Sequence, residues 1–423
     1  MNVRAVVRAG LLGILLGAVV LTSGGCGRRD VELWHIQSYE PTRSAVEESV
    51  KRYEASSGKT VEARAVANDK FKTDLKTART AGRLPDVFHT WGGGALGSLA
   101  EAGIVADMTE RVPEAVKARL HPSALAFVSH EGRLYALPAD FSLVVMWYNK
   151  EMFAREGVEV PKTFEELVSA CKRLKAKGIT PIALGNQHRW PGCFYFSYLA
   201  MRIGGMEPIA KAEQGEGAGF ADASFVGAGK KLRELVEAGA FGEGFSTLTD
   251  TDARGSFFTE KSAMMLMGTW LLAHVQKEAP AGFADKLGCF AFPMVKGGKG
   301  SPRAVLGGVN AGYAVSAKAS DMDGAVGLAI ELVSEKSSRA WAGTGRIPAL
   351  KREAAEEMLA KETLPAAQIL YDADAVQLYY DQLLNPALAE VHKDTTEALF
   401  LGTLSPEGAV EKMQSEAEKL RRH

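Results

Sequence analysis

The sequence predicts an α/β protein built as two lobes, on three observations. Short apolar, strand-like runs alternate with amphipathic helical stretches along most of the chain, the pattern of βαβ units with a mostly parallel sheet covered on both faces. That alternation restarts near Leu143, where residues 143–148 form a continuous apolar run. Roughly 400 residues follow an N-terminal leader, more than one hydrophobic core usually serves.

The elements follow in order. Arg4 and Arg8 precede an apolar run, 11–21, and Thr22, Ser23, Gly24 and Gly25 lead from it to Cys26. A basic start, a short apolar stretch and a small-residue cleavage site describe an export signal over 1–25. The run is shorter than the ~20 apolar residues a membrane span needs. Cys26, placed directly after the small residues, is the expected lipid acceptor, with 26–30 as a tether; Ser23 stands where such signals usually carry leucine. Ordinary cleavage, leaving an exported protein without lipid, is the alternative. Residues 31–36 read as a strand and 41–57 as a helix with Val46, Val50 and Tyr53 on one face. Residues 60–66 alternate like a strand, 71–81 return to helix, 87–90 form a strand, and 96–102 a helix ended by Gly103. Thr163 opens a helix with a T-x-x-E capping pattern that runs to Lys177 and stops at Gly178. Residues 180–184 are a buried strand, and 204–219, rich in small residues, a loop between helices. Residues 263–267, 287–292 and 311–316 are further strands, and the last 50 are expected to be helical, with good helix formers over 407–421.

Composition narrows the function. The leader carries two of the 50 basic residues and none of the 51 acidic ones, so the remainder has a net charge of −3. That gives no basic field for nucleic acid or an anionic membrane. Beyond Cys26 the cysteines are Cys171, Cys193 and Cys289, an odd number without zinc-site spacing. Free buried thiols are expected, with a Cys171–Cys193 bridge as the alternative.

Catalytic motifs fail one by one. Ser57-Gly58-Lys59-Thr60 ends like a phosphate-binding loop, but Tyr53 occupies the position that needs glycine. Gly215-Glu216-Gly217 lacks the third glycine of a dinucleotide fingerprint, since residue 220 is Phe220. Neither G-x-S-x-G nor H-E-x-x-H occurs, and the eight histidines are scattered. No cofactor is implied.

Aromatic and polar residues do gather at the ends of the predicted strands. Trp34 and His35 end the first, Trp91 follows 87–90, Asp140 follows Leu137-Pro138, and Trp270 follows 263–267. Open α/β sheets bind ligands beyond the carboxyl ends of their strands. Indole faces pack on the C–H face of a sugar ring, while carboxylates, amides and guanidinium groups satisfy hydroxyls, so the combination suits a neutral polyol.

With these residues in view, the chain resembles the family 1 bacterial extracellular solute-binding proteins, the sugar-capturing lipoproteins of ABC importers. Leu84-Pro85-Asp86-Val87-Phe88-His89-Thr90-Trp91-Gly92-Gly93-Gly94 is similar to that family's P-D-V-x-x-x-W-G-G-G segment. Leu134-Tyr135-Ala136-Leu137-Pro138 followed by Trp147-Tyr148-Asn149-Lys150 resembles its Y-A-L-P…Y-N-K pattern. Segments 161–167, 178–184, 263–270 and 345–350 extend the likeness, and Tyr380-Asp381-Gln382 is similar to a ligand-contacting segment of oligosaccharide binders. The resemblance implies a type II periplasmic-binding-protein fold, each lobe a mixed sheet flanked by helices and the two joined by a hinge. The N-terminal lobe is expected over 31–141 and 288–340, the C-terminal lobe over 142–287 and 341–423.

It also implies a site. Trp91 and Trp270 would stack on sugar rings, and Asp140 and Asp381 would accept charge-assisted hydrogen bonds from hydroxyls. His35, Gln187, Trp190, Asn310 and Arg346 are expected to line the cleft or support it. A di- or oligosaccharide would stabilise the closed form by touching both lobes. The closed monomer would then dock on a membrane permease, held near the membrane by lipid on Cys26 alone, outside the cytoplasm. Rival readings are an exported glycoside hydrolase, whose acid pair would meet only in space, a polyamine binder, and a ferric-ion binder using Tyr379-Tyr380.

Overall fold

The computed structural model describes residues 29–422, so the leader and Cys26 lie outside the described residues. Strands β1 (Val31–His35), β2 (Val61–Ala65) and β3 (Val87–Thr90) come from the predicted βαβ units and run parallel. β1 shows why: Val31, Leu33 and His35 alternate inward while Glu32 and Trp34 stay half-buried, the period of two that a one-sided packing surface demands. A small hairpin, β4 (Ser129–His130) with β5 (Arg133–Leu134), precedes β6 (Ala136–Pro138). The chain then crosses into β7 (Ser142–Asn149), β8 (Thr180–Ala183), β9 (Ser262–Gly268), β10 (Leu287–Phe290) and β11 (Ala304–Gly308), returns in β12 (Gly312–Val315), and ends its strands with β13 (Ala375–Gln377).

Two mixed sheets result. The first has the order β2-β1-β3-β12-β6; the second has the order β13-β11-β7-β9-β8, with β10 also paired to β7. β12 is antiparallel to both its neighbours, and β7 is antiparallel to β9, β10 and β11. The mostly parallel sheet read from the alternation is therefore corrected to a mixed one in each lobe. β9 is buried at every residue, as a central strand covered on both faces must be. The capping pattern at Thr163 forms as predicted: its hydroxyl accepts the Glu166 N–H, and the Glu166 carboxylate accepts the Thr163 N–H, opening the helix Phe164–Ala176.

Three other expectations are corrected. Residues 204–219 contain a helix, Glu207–Gln214, because Pro208 fits its first turn, good helix formers fill it and Gly215 caps it in the left-handed conformation. The last 50 residues include β13, held by parallel pairing to β11. The chain returns to the first sheet after β11, not at 288, since β10 and β11 both pair with β7 of the second sheet.

Among the described residues, three segments cross between the sheets, at residues 139–141, 309–311 and 345–350, and they are bonded to each other. The Ala139 N–H donates to Ala311 O (2.7 Å), the Phe141 N–H to Ile347 O (2.8 Å) and the Ala349 N–H to Ala139 O (3.1 Å). This braid forms the floor between the lobes.

Candidate ligand-binding site

A cavity of about 360 Å³ lies between the two sheets, at the end where β1, β3 and β9 finish. Its first-lobe wall carries Gln37 and Tyr39, from the turn after β1, and Lys72 and Trp91. The second-lobe wall carries Trp190, Phe194, Asp250, Arg254, Trp270, His274, Tyr379 and Asp381, and the floor is made by Asn310 and Arg346 of the crossings.

The aromatic surfaces differ between the walls. On the second lobe Trp270 packs against Trp190 (6.3 Å between centroids), Phe194 (6.2 Å) and, edge-on, Tyr379 (6.0 Å). Gly268 makes this placement available: a Cβ there would stand 2.0 Å from the Trp270 ring, so only glycine lets the indole lie on the end of β9. On the first lobe Trp91 stands edge-on to His89 at 4.5 Å, with the Lys72 ammonium 4.9 Å over its ring, a cation–π contact. Tyr39 of the first lobe stacks on His274 of the second at 4.3 Å, a ring contact between the two walls.

Charge is balanced across the space. Lys72 Nζ lies 3.9 Å from Asp381 Oδ2, Asp69 of the first lobe 3.4 Å from His188 Nδ1 of the second, and Arg254 is paired with both Asp250 and Glu278. Burial, offset only in part by a 2.8 Å hydrogen bond to Glu278, holds the His274 imidazole at about 4, so it is neutral near pH 7. Burial pushes the Glu278 carboxyl up, but the His274 hydrogen bond and the Arg254 charge outweigh it and bring it to about 2. The cavity lining carries three carboxylates, Asp69, Asp250 and Asp381, against three cations, Lys72, Arg254 and Arg346, so it presents no excess of negative charge of the kind that draws a polyamine.

Among the described residues, five buried polar atoms on the cavity wall have no protein partner: Gln37 Nε2, Trp190 Nε1, Asp250 Oδ1, Arg346 Nε and Tyr379 OH. An unpaired buried donor or acceptor costs about 1–3 kcal/mol. A ligand presenting several hydroxyl groups between aromatic faces would satisfy donors and acceptors of this mixture at once.

Of the residues expected to form a site, Trp91, Trp190, Trp270, Asn310, Arg346 and Asp381 line the cavity. Asp140 does not. Its side chain is fully buried below the floor and its oxygens are filled by Arg346 (2.9 Å), the Asn310 and Ala311 N–H groups (2.9 and 2.6 Å) and Ser142 (3.3 Å), leaving no lone pair for a ligand hydroxyl. Burial pushes its carboxyl up, while the Arg346 charge and the two amides oppose that shift. His35 is buried behind the first-lobe wall, and Gln187 is exposed on a loop outside the cavity. The sequence reading missed Gln37, Tyr39, Lys72, Asp250, Arg254 and His274, which sit on loops and in the first two turns of helices where no periodicity marks them. Only the place of Gln37 and Tyr39 just after β1 could have suggested them.

Tyr379 and Tyr380 point apart. Tyr379 faces this cavity, whereas Tyr380 packs beside Phe225 and His392 on the far side of its short helix. Burial raises both phenols well above their ordinary range, against ionisation to phenolates. The two rings therefore do not form the convergent pair that the ferric-ion reading requires. The three cysteines of the described chain are free, and burial pushes the Cys171 and Cys289 thiols to about 12. No helix among the described residues is long and apolar enough to cross a membrane.

Comparison with known proteins agrees with this geometry. The family model of the bacterial extracellular solute-binding proteins matches residues 38–337. A solved structure reported for xylan utilization by the thermophilic bacterium Caldanaerobius polysaccharolyticus is 31% identical, with a TM-score of 0.86 over 91% of this chain and 99% of that one. A chitin oligosaccharide binding protein is 25% identical, with a TM-score of 0.81 over 93% and 99% of the two chains. The maltotriose-binding protein of Pyrococcus abyssi is 30% identical over 45% of this chain and 40% of its own. The matches to the first curated relatives span less than half of their lengths, 45%, 34% and 40%. The family's two-lobe fold is the one described above.

Proposed function

Since the chain belongs to the bacterial extracellular solute-binding protein family, we propose that it is the extracytoplasmic substrate-binding component of an ABC importer, capturing a di- or oligosaccharide between its lobes and delivering it to a membrane permease. The observation that carries this reading is the cavity itself: indole faces on opposite walls, with unpartnered donors and an acceptor between them and balanced charge around them. A volume of about 360 Å³ is near the lower end of the range for ligand pockets, roughly 300–1,000 Å³, and favours a short oligosaccharide. Relatives of the chain are binding proteins, and we read this one as a binder without catalysis. Export by the leader, lipid on Cys26 and a monomeric state belong to the same proposal.

Closure supplies the mechanism. A sugar bridging Trp91 and Trp270 touches both lobes only when they are together, so its contacts favour that form by their difference in affinity. Tyr39 on His274 and Lys72 beside Asp381 are contacts made across the same gap.

Tryptophan fluorescence of the leader-free protein, titrated with xylo-, malto- and chito-oligosaccharides of one to three units, tests this. Saturable change with a di- or trisaccharide, and recovery of that sugar intact, is the expected result. Silence across the panel overturns the sugar reading, and recovery of cleaved sugar replaces it with a hydrolase.

A further inference from the structure

All three crossings between the lobes converge on one carboxylate. Asp140 lies on the first, its Oδ1 accepts the Asn310 and Ala311 N–H groups of the second, and its Oδ2 accepts Arg346 Nη1 of the third. Both partners are buried, Asp140 fully and Arg346 at 2% exposure. Arg346 extends the connection in two further directions. Its Nη2 donates to the Tyr39 hydroxyl of the first lobe at 3.1 Å, and its Nε, without a protein partner among the described residues, belongs to the cavity floor.

We propose that Asp140 and Arg346 form a clasp that couples occupation of the cavity to the angle between the lobes, with Asp140 as a positioning residue that never touches the ligand. Lobe rotation has to be absorbed by backbone torsions in the crossings, and a carboxylate that fixes three crossings to each other makes them move as a unit. The charge-assisted bonds at Asp140 are the strong kind, set in a water-excluded floor where they hold geometry closely. A ligand oxygen accepting from Arg346 Nε would meet a guanidinium already oriented by Asp140 and Tyr39. Occupation of the floor is thereby felt at once by all three crossings and by the first-lobe wall. The residue expected to grip the sugar instead sets the geometry of the residue beside it.

The inference rests on the binding reading for its ligand arm only. Asp140→Asn keeps the shape but cannot accept from Arg346 and from the two amides together, because one end of the amide is a donor. Small-angle scattering of the leader-free protein, alone and with xylotriose, maltotriose or chitobiose, reads the lobe angle, and fluorescence titration reads Kd. The expected result is a broader size distribution in the free variant than in the wild type, loss of the compaction produced by a bound probe, and a Kd raised at least tenfold. Arg346→Lys, which keeps one charge against Asp140 but not the bonds to Tyr39 and the cavity, is expected to shift both readouts in the same direction. If Asp140→Asn does not fold, scattering of the free Arg346→Lys protein decides the matter, since Arg346 also lines the cavity and its Kd would rise through the lost contact alone. Unchanged scattering and Kd in a folded variant overturn the clasp, and so does a lower Tm with both unchanged. If the wild type ignores every probe, the sugar reading falls while scattering of the free proteins still tests the clasp.

Discussion

At the scale of single residues, the site turns on what stands beneath each aromatic ring. Trp270 is held by three aromatic neighbours and by the bare backbone of Gly268. Trp270→Ala removes a stacking face and is expected to raise Kd for the sugar that binds by about tenfold or more, on the order of 1.4 kcal/mol. Gly268→Ala leaves the indole in the chain but drives a methyl into it, so it is expected to weaken binding in the same direction; calorimetric titration of both variants measures this. A Gly268→Ala protein that binds as well as the wild type would show that the ring's present position is not the binding one. Residues of this kind were legible as types and not as roles. Trp91 and Trp270 stand out because tryptophan just after a strand is easily seen, whereas Asp140, also at a strand end, is buried by contacts with residues 170, 171 and 206 positions away that no local pattern announces.

Among the elements, the short segment after β13 shows how closely the lobes approach. Helix Gly93–Glu101 of the first lobe begins against the backbone of 382–384, and a Cβ on Gly94 would lie 2.5 Å from Leu383 O and 2.6 Å from Leu384 O. Backbone cannot yield as a flexible side chain can, so Gly94→Ala must push the helix and Asp381's segment apart. The expected outcome is a weakening of sugar binding by tenfold or more together with a lower Tm, read by titration and by thermal unfolding. An unaltered Kd would mean that this contact is not kept in the ligand-bound form. The elements themselves were mostly legible, since short apolar runs marked β1, β3, β7 and β9 and the T-x-x-E pattern marked the start of helix Phe164–Ala176. Helix Glu207–Gln214 was hidden by the small residues around it, which set its ends without preventing it. Lobe membership of β10 and β11 was not legible at all, because pairing partners decide it and those lie 138 or more positions away in β7.

For the whole molecule, neutral imidazoles buried in both lobes tie stability to pH. Burial holds His35 at about 4, His89 well below its ordinary 6.5, His274 at about 4 and His392 at about 3. The surrounding charges modify this without reversing it: Glu47 and Arg43 act on His35, His35, Arg346 and Lys72 on His89, Glu278, Arg254 and Arg346 on His274, and Lys393 on His392. An imidazole whose folded pKa is depressed binds its proton more readily in the unfolded chain. Stability is therefore full above pH 6.5 and falls as the pH drops through the window from 6.5 to about 4, where the unfolded state holds more protons. A depression from 6.5 to about 4 amounts to about 3 kcal/mol for each such group at the acid end. Several together rival the 5–15 kcal/mol that separates a folded domain from its unfolded chain. The Tm of the free protein, followed by circular dichroism, is expected to fall steadily from pH 7 to pH 4, and His392→Gln to make that fall shallower. A Tm that stays level across this window would mean that the imidazoles take up protons within the fold, and that the interior around them admits charge more readily than its packing indicates.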